Sequence, residues 1–183
     1  IAHDLFAEPG SRQPWSIDLI PIVISSEEWA QLERGLIQRA SLYDLIAKDF
    51  YGAQTLLRSG KVPPRLVFSD PAFLHACREP KPEKHLINFF AADLIRDTSG
   101  AWKIIDIHAE TPAGVGFPLA NRFLHGQLMG DVFRACRVLR LAPHFQQFQT
   151  ELLQRIERDD PLITLLTPGP RHEDYFSHAY LSR

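Results

Sequence analysis

Asp93 and Asp106 are the residues whose type and spacing most plainly could do chemistry. They fall in two β-type runs, Leu86–Arg96 and Ala101–His108, joined by Asp97-Thr98-Ser99-Gly100, a turn sequence with its glycine last. A four-residue turn sets Arg96 opposite Ala101, and therefore Asp93 opposite Ile104 and Ala91 opposite Asp106. Side chains alternate along a strand, so this register puts both aspartates on one face as diagonal neighbours, with Cα atoms about 7–8 Å apart. Two carboxylates reaching into that space can share a hard cation. Mg2+ takes oxygen ligands, usually one or two carboxylates, and completes its shell with phosphate oxygens and water. Beyond Asp106 the same face carries His108 and Glu110, an Asp-x-His-x-Glu ladder. The expected register also places Ile95, Trp102 and Ile104 on that face, and a hairpin with one solvated side would simply turn the aspartates to water.

Two loops are further candidates. In Thr111-Pro-Ala-Gly-Val-Gly116, the glycines Gly114 and Gly116 can bring backbone N–H groups close to a phosphate, and Asn121 and Arg122 follow nearby. Arg122 would add a planar, bidentate cation. A GxG run is equally a tight turn, and this one has neither the P-loop ending nor the dinucleotide fingerprint. Thr167-Pro-Gly-Pro170 follows the apolar run Leu162–Leu166 and leads into a helix, a place where anions bind or where the chain merely turns. The 8 histidines show no HxH or HExxH spacing, which argues against a zinc hydrolase.

These residues need elements to hold them. Ser16–Ile24 is rich in β-branched residues and reads as a strand, with Pro21 confining it to an edge or a bulge. Ser25 and Glu28 have the spacing of a capping box, and the apolar positions from Trp29 to Leu45 recur with helical period, so a helix is expected to about Asp49. A second helix is expected over Gly52–Ser59, a short strand over Arg65–Phe68 and a short helix over Pro71–Cys77. Glu79-Pro-Lys-Pro-Glu83 reads as a linker that divides a mixed strand and helix region, residues 1–80, from residues 81–183, which carry the hairpin and the loops. Helices are expected over Pro118–Met129 and Pro143–Asp159, a buried strand over Leu162–Leu166, and the opening turns of a helix from Asp174 to Arg183. Antiparallel pairing beside helices makes the fold class α+β, or mixed α/β, rather than a doubly wound parallel sheet.

Composition excludes several functions. The chain has 183 residues, a net charge of -2, 45% apolar and 23% charged residues, and no basic stripe of the kind nucleic acid requires. Its longest apolar runs are too short to span a bilayer, so no membrane partner is expected. Cys77 and Cys136, the 2 cysteines, read as reduced thiols of a cytoplasmic protein.

The order of motifs over nearly the whole chain resembles the circularly permuted ATP-grasp family, the type 2 group related to glutathionylspermidine-synthase-like ligases. The matching runs are Leu19-Ile-Pro-Ile-Val-Ile-Ser25, Glu28-Trp29, Gly35-Leu-Ile-Gln-Arg-Ala40, Asp49-Phe-Tyr-Gly52 and Gly60-Lys-Val-Pro-Pro64. They continue with Ala92-Asp-Leu-Ile-Arg96, Gly100-Ala-Trp102, Pro112-Ala-Gly-Val-Gly116 and Asn121-Arg122. The last are Leu166-Thr-Pro-Gly-Pro170 and Tyr175-Phe-Ser-His-Ala-Tyr-Leu-Ser-Arg183. The resemblance implies a partial ATP-grasp fold and an ATP-dependent ligase that activates a carboxylate as an acyl phosphate and passes it to an amine. It implies Asp93 and Asp106 as Mg2+ ligands, Gly114, Gly116 and Asn121 near the phosphates of ATP, and Arg96 and Arg122 steadying transferred charge. The expected partners are small-molecule carboxylate and amine substrates and a C-terminal half that would supply the adenine clamp. On this reading the chain is a fragment, inactive alone and prone to self-association through the surface that half would cover. Departures from the family pattern at His108, Glu110, Ala113 and Ser177 leave open a degenerate, non-catalytic relative that binds a ligand or a partner.

Overall fold

The computed structural model describes residues 18, 20–78, 85–109, 114–172 and 174–182. Helices and one antiparallel hairpin make up the regular structure, in the order α1 (Ser26–Tyr51), α2 (Thr55–Arg58), α3 (Pro64–Phe68), β1 (Ala91–Arg96), β2 (Trp102–His108), α4 (Gly116–Leu128), α5 (Gly130–Ala135), α6 (Ala142–Gln154) and α7 (Tyr175–Leu181). The mixed helix-and-strand class expected from the pattern is the one observed. The chain divides into two compact units, residues 22–112 and residues 1–21 with 113–183. Among the described residues no helix is long and apolar enough to cross a membrane.

In the unit of residues 22–112, α1 starts where the capping box requires. The Ser25 hydroxyl accepts from the Glu28 N–H at 3.2 Å, and the Glu28 carboxylate accepts from the Ser25 N–H at 3.1 Å. Half-buried or buried positions then step by four along the helix, at Glu28, Leu32, Leu36, Ala40 and Asp44. Asp49 near its end accepts from the N–H groups of Thr55 and Leu56 at 2.8 and 2.9 Å, which fixes the start of α2.

Asp44 is the buried charge among the described residues of this unit. One carboxylate oxygen accepts from the backbone N–H groups of Leu86 and Ile87 at 2.8 and 3.1 Å. The other meets Lys48 Nζ at 3.0 Å and His85 Nδ1 at 2.7 Å. Burial raises the carboxyl's pKa, but Lys48, the Ile87 N–H, His85 and the Leu86 N–H together outweigh it and hold the group well below the usual carboxylate range. This cluster also explains why the strand expected from Leu86 begins only at Ala91. The N–H groups of Leu86 and Ile87 are committed to Asp44 and cannot join a ladder.

Other expectations are corrected. Arg65–Phe68 is helical, because Pro64 at the first helical position presets φ for a turn of helix, and a four-residue apolar run cannot reveal its period. The second helix is shorter than expected, only Thr55–Arg58, and a single 3-10 turn covers His75–Cys77. Residues 20–24 form no strand, and Ile20 and Ile22 are exposed; Ser16, Ile17 and Leu19 lie outside the described residues. Leu162–Leu166 has no regular structure and is open to solvent rather than a buried strand. Both runs have the composition of strands but no partner strand among the described residues, and unpaired backbone gains nothing from β propensity. The helix expected over Pro143–Asp159 ends at Gln154, and α5 was not anticipated. The linker Glu79–Glu83 lies outside the described residues.

In the unit holding residues 113–183, α4 packs on α7. Phe117 and Phe176 lie 5.0 Å apart between ring centroids, and the Gly116 N–H donates to Ser177 Oγ at 3.3 Å. His125 in α4 reaches the carbonyls of Asn121 and Asp18 at 2.8 and 3.0 Å through its two ring nitrogens, tying the chain at Asp18 to this unit.

Replacing Asp44 by alanine strips two part-buried N–H groups and Lys48 of their acceptor, and a loss of about 2 kcal/mol is expected in urea unfolding at neutral pH. Because the folded carboxyl titrates below the unfolded one, its contribution is present above about pH 4 and fades as pH falls through the folded value. The gap between the parent chain and Asp44→Ala should therefore close on acidification. A gap that widens below pH 4 would overturn this account.

Candidate functional site

The geometry of the carboxylates follows from how the hairpin closes. Asp97 and Ala101 pair, the Gly100 N–H donates to the Asp97 carbonyl at 2.9 Å, and Gly100 sits at φ +83°. The loop is therefore three residues, Thr98–Gly100, ending on a left-handed glycine. The Asp97 carboxylate accepts from the Ser99 hydroxyl and the N–H groups of Ser99 and Ala101, at 2.6, 2.9 and 3.0 Å, and the Ser99 hydroxyl above all holds its pKa down.

This closure corrects the expected register. Arg96 pairs with Trp102, not Ala101, and Leu94 with Ile104. A β-bulge between Asp93 and Leu94 then leaves Ile105 as an extra residue, so Asp93 stands directly opposite Asp106 and Ala91 opposite His108. The two aspartates share a face as expected, but as a direct pair rather than a diagonal one. The apolar residues expected beside them are mostly elsewhere. Trp102 and Ile104 pair with Arg96 and Leu94 on the other face, which is half-buried, and of that group only Ile95 accompanies Asp93.

On the exposed face, His108 Nε2 lies 3.4 Å from Asp93 Oδ2 and 3.9 Å from Asp106 Oδ2. One ligand atom from each of Asp93, Asp106 and His108 falls within 4.8 Å of the others. Directly opposed like charges destabilise a strand pair, so a positive charge between these carboxylates offsets a cost built into the hairpin. Two carboxylates meet the demand of Mg2+ for oxygen, and all three side chains are open to solvent, leaving room for water or phosphate oxygens. The imidazole nitrogen is a donor that Mg2+ does not favour. Glu110 lies outside the described residues.

Arg96 projects from the opposite, half-buried face. Its guanidinium donates to Glu28 Oε1 at 2.7 Å and lies 4.6 Å above the centre of the Trp102 ring. The Ser25 backbone N–H, then its hydroxyl, and more weakly Arg96 and the Trp102 indole lower the pKa of Glu28. Arg96 thus joins the N-terminus of α1 to the hairpin.

The loop candidates belong to the other unit. Gly114 has φ +86°, a conformation that favours glycine. Gly116 is needed for packing: a Cβ there would stand 3.0 Å from Ser177 Cα and 3.3 Å from the Phe176 carbonyl oxygen. Its N–H is taken by the Ser177 hydroxyl, and Ser177 is buried. Asn121 lends its carbonyl to His125, and Arg122 lies 5.7 Å over the Phe133 ring. Thr111–Ala113 lie outside the described residues. His108 was visible in the sequence only as part of a ladder, whereas nothing in the local sequence announced the Asp44 cluster, whose partners other than Lys48 are some forty residues away.

Residues 21–183 match the family described as circularly permuted ATP-grasp type 2, and the chain belongs to that family. The match starts before α1, so the helical region ahead of the hairpin is part of the family's sequence pattern. Among curated relatives, the uncharacterized protein Rv2567 of Mycobacterium tuberculosis is 32% identical over 183 residues, 98% of this chain and 20% of its own length. The uncharacterized protein ML0605 of Mycobacterium leprae is 32% identical over 185 residues, 97% of this chain and 32% of its own. The uncharacterized protein sll0335 of Synechocystis is 29% identical over 179 residues, 96% of this chain and 37% of its own. The chain therefore spans about a fifth to a little over a third of the length of these relatives.

Gly116→Ala should lower stability by about 2 kcal/mol, because the neighbouring atoms are backbone and cannot move aside cheaply. Gly35→Ala, inside α1 with open space around it, should instead raise stability by about 0.5–1 kcal/mol. Urea unfolding of both variants checks the contrast, and equal shifts of the same sign would refute it.

Proposed function

We propose that this chain forms the metal-bearing part of an ATP-dependent carboxylate–amine ligase, with Asp93 and Asp106 as the ligands of the Mg2+ that accompanies ATP. Family membership supports the reaction class, and the direct opposition of the two exposed carboxylates is the observation that carries the site. In such a reaction the γ-phosphoryl group passes from ATP to a carboxylate oxygen, leaving ADP. The amine nitrogen then attacks the acyl carbon, phosphate departs with the C–O bond pair, and the amine loses a proton. Bound Mg2+ would neutralise the charge that gathers on the phosphate oxygens. The part of Asp93 and Asp106 is to fix that positive charge at one place on the hairpin. Adenine, the carboxylate and the amine would be held by other parts of a longer polypeptide.

A second reading has its own support. Arg96 is engaged by Glu28 and Trp102, and the Gly116 N–H by Ser177, so two groups that the resemblance assigns to phosphate chemistry have structural partners. These engagements favour a relative that keeps the fold and binds a ligand without turnover.

Calorimetric titration of Mg-ATP into the longest polypeptide that contains this chain separates the two. The ligase reading expects binding that weakens at least ~tenfold in Asp93→Asn and in Asp106→Asn, and ADP release that requires a carboxylate and an amine. Binding that neither substitution alters would remove the aspartates from the site, and binding without ADP release under any substrate pair would favour the second reading.

A further inference from the structure

We infer that His125 is a proton-dependent latch: as an imidazolium it holds the chain at Asp18 on α4, and loss of its proton releases that chain. The latch lies in the unit that joins residues 1–21 to residues 113–183, and it does not depend on the chemistry of the hairpin.

The number of donors required is what points to it. Nδ1 of His125 lies 2.8 Å from the carbonyl oxygen of Asn121, one turn back along α4, and Nε2 lies 3.0 Å from the carbonyl oxygen of Asp18. Both separations are ordinary hydrogen-bond lengths. A carbonyl oxygen only accepts, so each contact needs an N–H on the ring. A neutral imidazole carries one N–H and one bare lone pair, whereas the imidazolium carries two N–H groups. In either neutral tautomer a ring lone pair would face a carbonyl lone pair. His125 is 8% exposed, so little water reaches the ring to replace the lost donor. The Asn121 contact lies within one helix, while the Asp18 contact spans 107 residues of sequence and is the freer of the two to open.

The surroundings of the ring suit a positive charge that is held conditionally. Phe133 of α5 lies parallel to the imidazole, with 6.4 Å between ring centroids, and an aromatic face attracts a cation. Arg122, one turn earlier on α4, lies 5.7 Å over the same ring and opposes a second positive charge there. The other charged groups on the flanking segments are committed elsewhere. Asp18 Oδ1 accepts from the Ile20 N–H, and Asp131 of α5 pairs with Arg134. α7 meets α4 at Gly116 and Phe117, more than two turns from the ring. Among the described residues no carboxylate contacts the imidazole, so the two carbonyls alone set how many protons it must carry. The tie is present at acid pH and lost as pH rises, opposite in sign to the contribution of Asp44.

Nuclear magnetic resonance of the 183-residue chain carrying 15N-labelled histidine tests the latch. At about pH 5 both ring nitrogens of His125 should give the signals of protonated nitrogen. The pH is then raised until one of those protons is lost. In step with that loss, the backbone order parameters of Asp18 and Ile20 should fall from about 0.85 to below about 0.6. His125→Gln removes the titration, and in that variant the order parameters of the two residues should no longer change with pH. A His125 ring already neutral at about pH 5, with Asp18 and Ile20 still ordered, overturns the inference. So do order parameters that stay level while His125 loses its proton, a result read in the unsubstituted chain whether or not the variant folds.

Discussion

The carboxylate of Asp44 gathers two backbone N–H groups, an ammonium and an imidazole at a point where water scarcely reaches. A carboxylate with so little exposure is stabilised by these partners, and removing them leaves it poorly satisfied. That condition joins α1 to the segment that enters the hairpin. At the other end of the helix, Glu28 serves the capping box with one oxygen and Arg96 with the other. The chain from Leu86 to Arg96 therefore runs back along α1, from Asp44 toward Glu28. With Arg96 and Trp102 on the side of the hairpin that meets Glu28, the face bearing Asp93, Asp106 and His108 is turned away and left open. Exposure of the cluster is a consequence of where the helix is tied.

The sequence carried much of this but not all of it. The capping box at Ser25, the length of α1 and the location of the hairpin were legible because each is written in contiguous residues with a definite period or cap. The shared face of Asp93 and Asp106 was also legible, though through two displacements that cancel. A three-residue loop ending on Gly100 shifts the pairing by one position, which would have sent Asp106 to the face of Ala92 and Leu94. The bulge at Ile105 shifts it by one more and restores the face, while turning diagonal neighbours into directly opposed ones. Neither shift is specified by the alternation of apolar and polar residues, which is the only information a period provides.

Elsewhere the sequence misled for a related reason. Leu162–Leu166 and the run ending at Ile24 have the residues of strands, but a strand exists only by pairing, and the pairing partner is a property of the whole polypeptide. At Gly116 the glycine signalled a loop able to cradle phosphate, whereas the structure uses the missing side chain to seat α4 against Ser177 of α7. Ser177 therefore has a packing role: a short hydroxyl accepts the Gly116 N–H in a space with little room for anything longer.

The two ties on α1 make the helix and the returning chain into scales of unequal graduation. A residue added between Glu28 and Asp44 advances the helix by about 1.5 Å and rotates everything beyond it by about 100°. A residue added between Leu86 and Arg96 advances the extended chain by about 3.3 Å and exchanges its faces. No single insertion in one can be matched by a single insertion in the other, so the two lengths are locked together as in a vernier. Lineages that carry this arrangement are free to vary the turn at Asp97–Gly100 and the chain before Ser25, but the span from Glu28 to Arg96 is a measured interval in which gaps should be scarce near both ties.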